Sequence, residues 1–337
     1  MGACVLIHSF GGQGLNVFKR FFQKVHKPKR VLFYRDLTYY TGGHQKVADY
    51  FSHLASSNSF DPYISFSPVS RWDNFNPWVD INPQRFVEYL PQQYDYAFIA
   101  GLDWRVYLAA DRLANQPVIN FIQHVRHADP AEELYGYLDQ RAVRICVSQQ
   151  VADAIEQTGR VNGPVVTIPN GVELPISSAE KAYDLVILGI KQPELATAIY
   201  EQLISTGITI LLVNQQVPRN IWFEYLAASR CALLLPNTTE GFYLPALEAM
   251  QYCDLVVVPD CVGNRDFCKH NKNCLMPEYT LDSILATMKQ SVHLQQDEHV
   301  LTVFKQQMRE TLRIHSLASE RKAFLGIMTK IEALWTI

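Results

Sequence analysis

Residues 233–250 read LLLPNTTEGFYLPALEAM. An apolar run ends at Pro236, a polar loop runs from Asn237 to Gly241, and Leu244-Pro245 opens a helical stretch. Proline fits that place because the first turn of a helix leaves its N–H groups unpaired anyway. The same unit of short apolar strand, polar turn and helix repeats along the chain. Strand candidates are 31–35, 62–67, 94–100, 117–122, 142–148 and 164–168, then 184–189, 207–213, 231–236 and 254–259. Helical patterns fit between them at 44–56, 105–114, 149–158, 194–205, 218–229 and 245–252. Most of the strand runs are continuously apolar rather than alternating, as in parallel strands covered on both faces.

Strand and helix in alternation give an α/β chain with two Rossmann-like, doubly wound parallel sheets. The stretch IPNGVELPISSAEKAYD, 168–184, divides the two series and carries the turn signal Asn170-Gly171. The expected division is a first domain over 1–172, with a basic extension at 1–29, a linker at 173–182 and a second domain over 183–318. A C-terminal helix at 319–337 then presents Phe324, Ile327, Met328 and Ile331 on one stripe, suited to packing back on the first domain. Ligands of open α/β sheets sit at the carboxyl ends of the strands, so the site is expected in the cleft between the two.

Composition agrees. A chain of 337 residues, 48% apolar and 19% charged, has material for two cores and is not disordered. No apolar run approaches the ~20 residues that cross a bilayer, and the N-terminus lacks the order of a secretory signal. Seven cysteines without a CxxC pair read as reduced thiols in a cytoplasmic protein. Cys253, Cys261, Cys268, Cys274 and His270 cluster in sequence, but their spacing fits no standard zinc pair and buried thiols are the simpler reading.

The loop and helix at 237–250 carry the chemistry. Free N–H groups near 242–245, with the helix dipole behind them, would suit a diphosphate. Gly241 would let backbone approach a ligand closely. Glu240 stands at the strand's carboxyl edge, and Glu248, on the helix, would hold the two hydroxyls of a ribose.

The run Glu240-Gly-Phe-Tyr-Leu-Pro-Ala-Leu-Glu248 resembles the E-x7-E motif of retaining glycosyltransferases with the GT-B fold, particularly family 4. DLVVVPD at 254–260, Gly263-Asn-Arg-Asp266 and Asn273-Cys-Leu275 continue that family's pattern. The resemblance implies that Glu240 contacts the donor sugar near the reacting centre. It implies that Glu248 binds the nucleotide ribose and that Gly241, Phe242, Tyr243 and Leu244 contact sugar and phosphate. It also implies a donor-side role for the Gly42-Gly43 loop and a cleft histidine at His124, with His127 in reserve. The family's Gly-Arg after the first strand of the second domain is missing. Only Lys191 remains, and Arg265 is the reserve second cation.

The expected activity is retaining transfer of a sugar from a nucleoside-diphosphate sugar, UDP-hexose by family habit, to a hydroxyl of a glycan or lipid-linked acceptor. No Asp-x-Asp follows a strand, and neither a metal nor another cofactor is expected. Two rivals stand. One is a GT-B protein that binds sugar nucleotides without catalysis. The other is an NAD-dependent oxidoreductase, from Gly11-Gly-Gln-Gly14 with Asp36 beyond, although Val17 would crowd the helix of such a fingerprint.

The first 30 residues hold six Lys/Arg and no Asp or Glu. No nucleic-acid motif accompanies them. Phe18, Phe21, Phe22 and Val25 interleave with Lys19, Arg20 and Lys24 at helical spacing. Residues 16–30 thus read either as a peripheral helix on the anionic inner face of a membrane or as a helix packed on the first domain.

Overall fold

A computed structural model describes residues 27–73, 76–177 and 179–336. The first sheet contains β1 (Lys29–Arg35), β2 (Phe60–Phe66), β3 (Tyr96–Ala100), β4 (Val118–Ile122), β5 (Val143–Cys146) and β6 (Val165–Thr167), in the order β2-β1-β3-β4-β5-β6. The second contains β7 (Tyr183–Leu188), β8 (Ile210–Val213), β9 (Ser229–Leu234) and β10 (Leu255–Val257), in the order β10-β9-β7-β8. Every pairing is parallel, so each return of the chain crosses a sheet face, largely through helices. Those helices are α1 (Gly42–Ala55), α2 (Asp103–Ala109), α3 (Glu133–Gly136) and α4 (Gln149–Glu156) in the first domain. The second has α5 (Pro193–Leu203), α6 (Arg219–Ala227), α7 (Leu244–Tyr252), α8 (Leu281–Leu294) and α9 (Glu298–Ile314), followed by α10 (Leu317–Met328) and α11 (Ile331–Trp335).

All ten strands anticipated from the apolar runs are present, with ends moved by at most three residues. Strand β5 stops at Cys146 because Ser148 is spent on the next helix, where its hydroxyl accepts the Val151 N–H. The single helix expected near the C-terminus is two. At the break, Thr329 donates its hydroxyl to the Gly326 carbonyl, a local bond that competes with continuing the helix. Helix α3 is a single turn, too short to leave a periodic signal.

Two large apolar cores follow the two sheets, a smaller cluster around Trp104 adjoins β3 and β4 of the first sheet, and the chain crosses between the two domains twice. Phe324, Met328 and Ile331 are buried in the first core, with Phe324 packed 4.5 Å from the Tyr50 ring. The outgoing and returning strands of chain lie side by side. The Val172 N–H donates to the His315 carbonyl (2.9 Å) and the Leu317 N–H to the Val172 carbonyl (3.0 Å). A β-carbon on Gly171 would stand 2.4 Å from the Ser316 carbonyl oxygen, so only glycine permits this approach.

A buried ionic cluster pins the crossing. The Lys46 ammonium, on α1, meets Glu320 Oε2 of α10 at 2.6 Å, Asp49 at 2.8 Å and the Gly171 carbonyl at 2.9 Å. His53 Nε2 lies 2.9 Å from Glu320 Oε1, and the Gly171 N–H donates to Glu320 Oε2. Lys46 and Glu320 are 1% and 2% exposed, so neither charge has water as an alternative partner.

The basic first 30 residues fall mostly outside the described residues, as do residues 16–26 of the expected basic helix and the Gly11–Gly14 fingerprint. Their last two cations, expected within that helix, instead begin β1. Lys29 pairs with Glu332 at 2.8 Å and the Arg30 guanidinium covers the Tyr94 ring at 4.3 Å. Among the described residues no helix is long and apolar enough to cross a membrane.

Lys46→Met leaves the Glu320 carboxylate buried without its main counter-charge, and a loss of about 3–5 kcal/mol in urea unfolding is expected. The double change Lys46→Met with Glu320→Leu should recover part of it, because no uncompensated charge then remains.

Candidate functional site

The carboxyl edges of both sheets line one cleft of about 780 Å3. Its walls are the segments that leave β1, β3 and β4 on one side and β7, β8 and β9 on the other. Glu240, Glu248, Lys191, His124, His127, Gly42, Gly43 and residues Gly241 to Leu244 all line it, drawn from the segments that follow four strands, β1, β4, β7 and β9.

Glu240 is held by short contacts at the end of β9. Its Oε1 accepts the Asn237 N–H at 3.1 Å and pairs with the Lys191 ammonium, which also lies 5.5 Å from the centre of the Tyr243 ring. Glu248 is 4% exposed on α7. Trp222 Nε1 donates to its Oε2 at 2.9 Å, and the Arg219 guanidinium lies 3.0 Å from Oε1. Arg219 also reaches across the cleft to donate to the Tyr40 hydroxyl at 3.1 Å.

The first-domain wall contains both candidate histidines. His124 Nδ1 accepts the Arg126 N–H at 3.0 Å, and burial, then the Arg126 charge, push its pKa down. His127 is buried behind it, and burial holds it down to about 3. Gly42 and Gly43 open α1, whose cap is Thr41: its hydroxyl accepts the His44 N–H at 3.3 Å. The Gly43 carbonyl accepts from Gln123 Nε2 at 3.2 Å.

Gly241 answers a demand from the opposite domain: a β-carbon there would fall 1.7 Å from the Gln123 carbonyl oxygen. Ser148 fixes the same contact by donating to the Gly241 carbonyl at 3.1 Å. The anion site expected across residues 242–245 lacks most of its amides. The Tyr243 N–H donates to Gly263, Leu244 donates to Phe242, Ala246 donates to Tyr243, and Pro245 has none. Arg265 stands away from the cleft wall and chelates Asp260 at 2.8–3.2 Å on the surface.

Four polar cleft residues went unread. Arg219 follows a proline after a strand and belongs to no recognised motif, so it drew no notice. Arg35, His44 and Asp103 form one network. Arg35 Nη1 donates to Asp103 at 2.9 Å and Nη2 to His44 Nδ1 at 3.2 Å. Burial, followed by the Arg35 charge, lowers His44 to about 4, whereas burial outweighs Arg35 and raises Asp103 to about 6. The one available signal was a charged residue at the carboxyl end of an apolar strand, as in VLFYR.

No family model matches the sequence, and no curated protein does. Solved structures do match in shape. Anabaena HepE, solved with UDP-glucose, superposes with a TM-score of 0.69 at 12% identity, over 90% of this chain and 100% of its own. Sucrose-phosphate synthase of Thermosynechococcus elongatus gives 0.64 at 10% identity, over 90% and 99%. A glycosyltransferase of Rickettsia africae gives 0.61 at 12%, over 91% and 99%. Two parallel sheets facing one cleft, superposable over nine-tenths of the chain on such proteins, are the GT-B fold.

Gly241→Ala should force the Gln123 contact apart. A loss of about 1–3 kcal/mol is expected, with a larger radius of gyration in small-angle scattering at unchanged secondary structure. Acid should also act through His44. Between pH 6.5 and about 4 the unfolded chain binds a proton there that the folded chain refuses, so stability falls as pH drops through that window. The slope from this one proton is at most about 1.4 kcal/mol per pH unit, and His44→Gln should flatten the unfolding free energy from urea titrations across the window by up to that slope.

Proposed function

We propose that this protein is a retaining glycosyltransferase that takes a sugar from a nucleoside-diphosphate sugar, UDP-hexose first among them, and passes it to a hydroxyl of a glycan or lipid-linked acceptor. One observation carries the reading. Glu240 and Lys191 meet at the carboxyl edges of two neighbouring strands, facing His124, while Glu248 lies in the same cleft eight residues on. HepE, a structural neighbour, was solved with UDP-glucose, which supports the donor class.

Lys191 and Glu240 neutralise each other in the cleft. A donor diphosphate offers Lys191 two negative charges in place of one, so the pair opens and the carboxylate turns to the sugar. Glu240 then supports the positive charge that grows on the sugar as its bond to the diphosphate breaks. Arg219 and Lys191 supply cations to the diphosphate end, so the reading needs no divalent metal. This replaces the helix amides, most of which are already bonded. Oε2 of Glu248 accepts the Trp222 Nε1–H and Oε1 pairs with the Arg219 charge, and both oxygens keep lone pairs for ribose hydroxyls. In a same-face displacement the departing diphosphate oxygen takes the acceptor's proton. Closure of the domains would shield the donor from water.

A thermal-shift screen with UDP-, GDP-, ADP- and TDP-sugars tests donor binding; a shift with one of them is expected, and none with any would sink the proposal. Glu240→Ala should lower the rate of nucleoside-diphosphate release by roughly a hundredfold or more with little change in donor affinity. Equal release from wild type and variant would leave a sugar-nucleotide-binding protein without catalysis. Lys191→Met should instead weaken donor binding by about tenfold or more, as expected for a lost hydrogen bond to a charged group.

A further inference from the structure

Asp103, Arg35 and His44 stand in a row on the first-domain wall of the cleft. Arg35 ends β1, His44 lies in the first turn of α1, and Asp103 opens α2. Asp103 is fixed in turn, because its Oδ2 also accepts the Ala100 N–H at 3.0 Å. Arg35 Nη1 makes a further bond to the Ala100 carbonyl at 3.3 Å.

The order of the three groups decides their chemistry. A carboxylate beside an imidazole would accept the Nδ1–H and leave a lone pair on Nε2, which is the arrangement of a general base. Here a guanidinium stands between carboxylate and ring. Guanidinium has five N–H groups and no lone pair, so His44 Nδ1 must be the acceptor of their bond. A neutral ring with its lone pair on Nδ1 carries its proton on Nε2. That Nε2–H has no partner among the described residues, and His44 lines the cleft. His124 follows the same rule, because its Nδ1 accepts a backbone N–H that can only donate. Both rings therefore carry their proton on Nε2, and both residues line the cleft.

We propose that His44 binds the acceptor, its Nε2–H held to a lone pair of the attacking hydroxyl, with Arg35 and Asp103 as positioning residues that fix the ring. The inference rests on the glycosyltransferase reading and adds the acceptor side to it. The hydroxyl oxygen uses one lone pair to form the new bond to the sugar carbon and the other to accept from His44. The bond from that carbon to the diphosphate oxygen breaks with its electron pair on the diphosphate. The hydroxyl proton goes to that departing oxygen, and His44 takes none. The titratable or charged groups about the ring are Arg35 and Asp36 at the end of β1, Asp103 on α2 and the Tyr39 ring at 6.4 Å.

Hydrolysis tests this without knowledge of the natural acceptor, since water then stands where the hydroxyl would. The donor is UDP-glucose, or whichever of the four nucleotide sugars gives the largest thermal shift, and the readout is released nucleoside diphosphate from the full chain. His44→Ala should lower kcat about tenfold at unchanged donor KM, the result of a misplaced nucleophile. His44→Gln, whose amide N–H can stand near the imidazole Nε2, should restore most of it. Wild-type rates in His44→Ala, or a rise in donor KM alone, would overturn the proposal while leaving the glycosyltransferase reading intact. A wild type that cleaves no nucleotide sugar overturns that reading and the proposal with it. Nitrogen-15 NMR of the wild type gives an answer independent of any variant. His44 should show a protonated Nε2 and a bare Nδ1 at neutral pH, and the opposite tautomer refutes the assignment. In Arg35→Met the ring should titrate closer to the ordinary histidine range.

Discussion

The Lys46–Glu320 contact joins everything that makes the cleft. Lys46 belongs to the helix whose first turn supplies Gly42, Gly43 and His44, and Glu320 belongs to the helix that returns from the second domain. Between them the Gly171 backbone is gripped at both its N–H and its carbonyl. Two charges this deep gain little net stability, because leaving water costs nearly what their attraction returns. Their effect is on geometry. A buried carboxylate with three donors around it accepts few other arrangements, and the crossing of the chain is fixed accordingly.

From that crossing the two carboxyl edges are set against each other, and a second contact settles their distance. The Gly241 loop presses on the Gln123–His124 backbone so closely that no side chain fits, and Ser148 bonds across the gap. Glu240 and His124 face one cleft because their neighbours in sequence touch directly. Phe242 serves both cores, which makes the loop part of the packing rather than a free lid.

Within the cleft, charge is balanced by pairs: Lys191 with Glu240, Arg219 with Glu248, Arg35 with Asp103. Pairing lets charged side chains sit in a half-closed space. The pairs differ in how freely they can exchange. Lys191 is 41% exposed and can leave Glu240 for a stronger anion, whereas Arg35 and Asp103 are 12% and 6% exposed and hold each other. The Lys191–Glu240 pair is thus free to switch partners, and the Arg35–Asp103 pair stays fixed.

The sequence by itself determined the ten strands, the parallel α/β architecture and the loop of Glu240. Continuous apolar runs, turn residues and a strand–loop–helix order are local properties, written in neighbouring residues. It also marked Lys191, His124 and Glu248 as residues for the cleft. It did not reveal that Gly241 answers to Gln123, that the amides of α7 are already bonded, that Arg265 belongs to Asp260, or that Arg35 separates Asp103 from His44. Each of these joins residues whose order along the chain gives no hint of contact, or turns on which of two available partners a donor meets. A hydrogen bond is decided by distance and direction to within tenths of an ångström, and only the packed chain fixes those. The chemistry of His44 shows the difference: the sequence supplies an imidazole, and the tertiary structure, by placing a donor-only guanidinium against one nitrogen, decides that the other carries the proton.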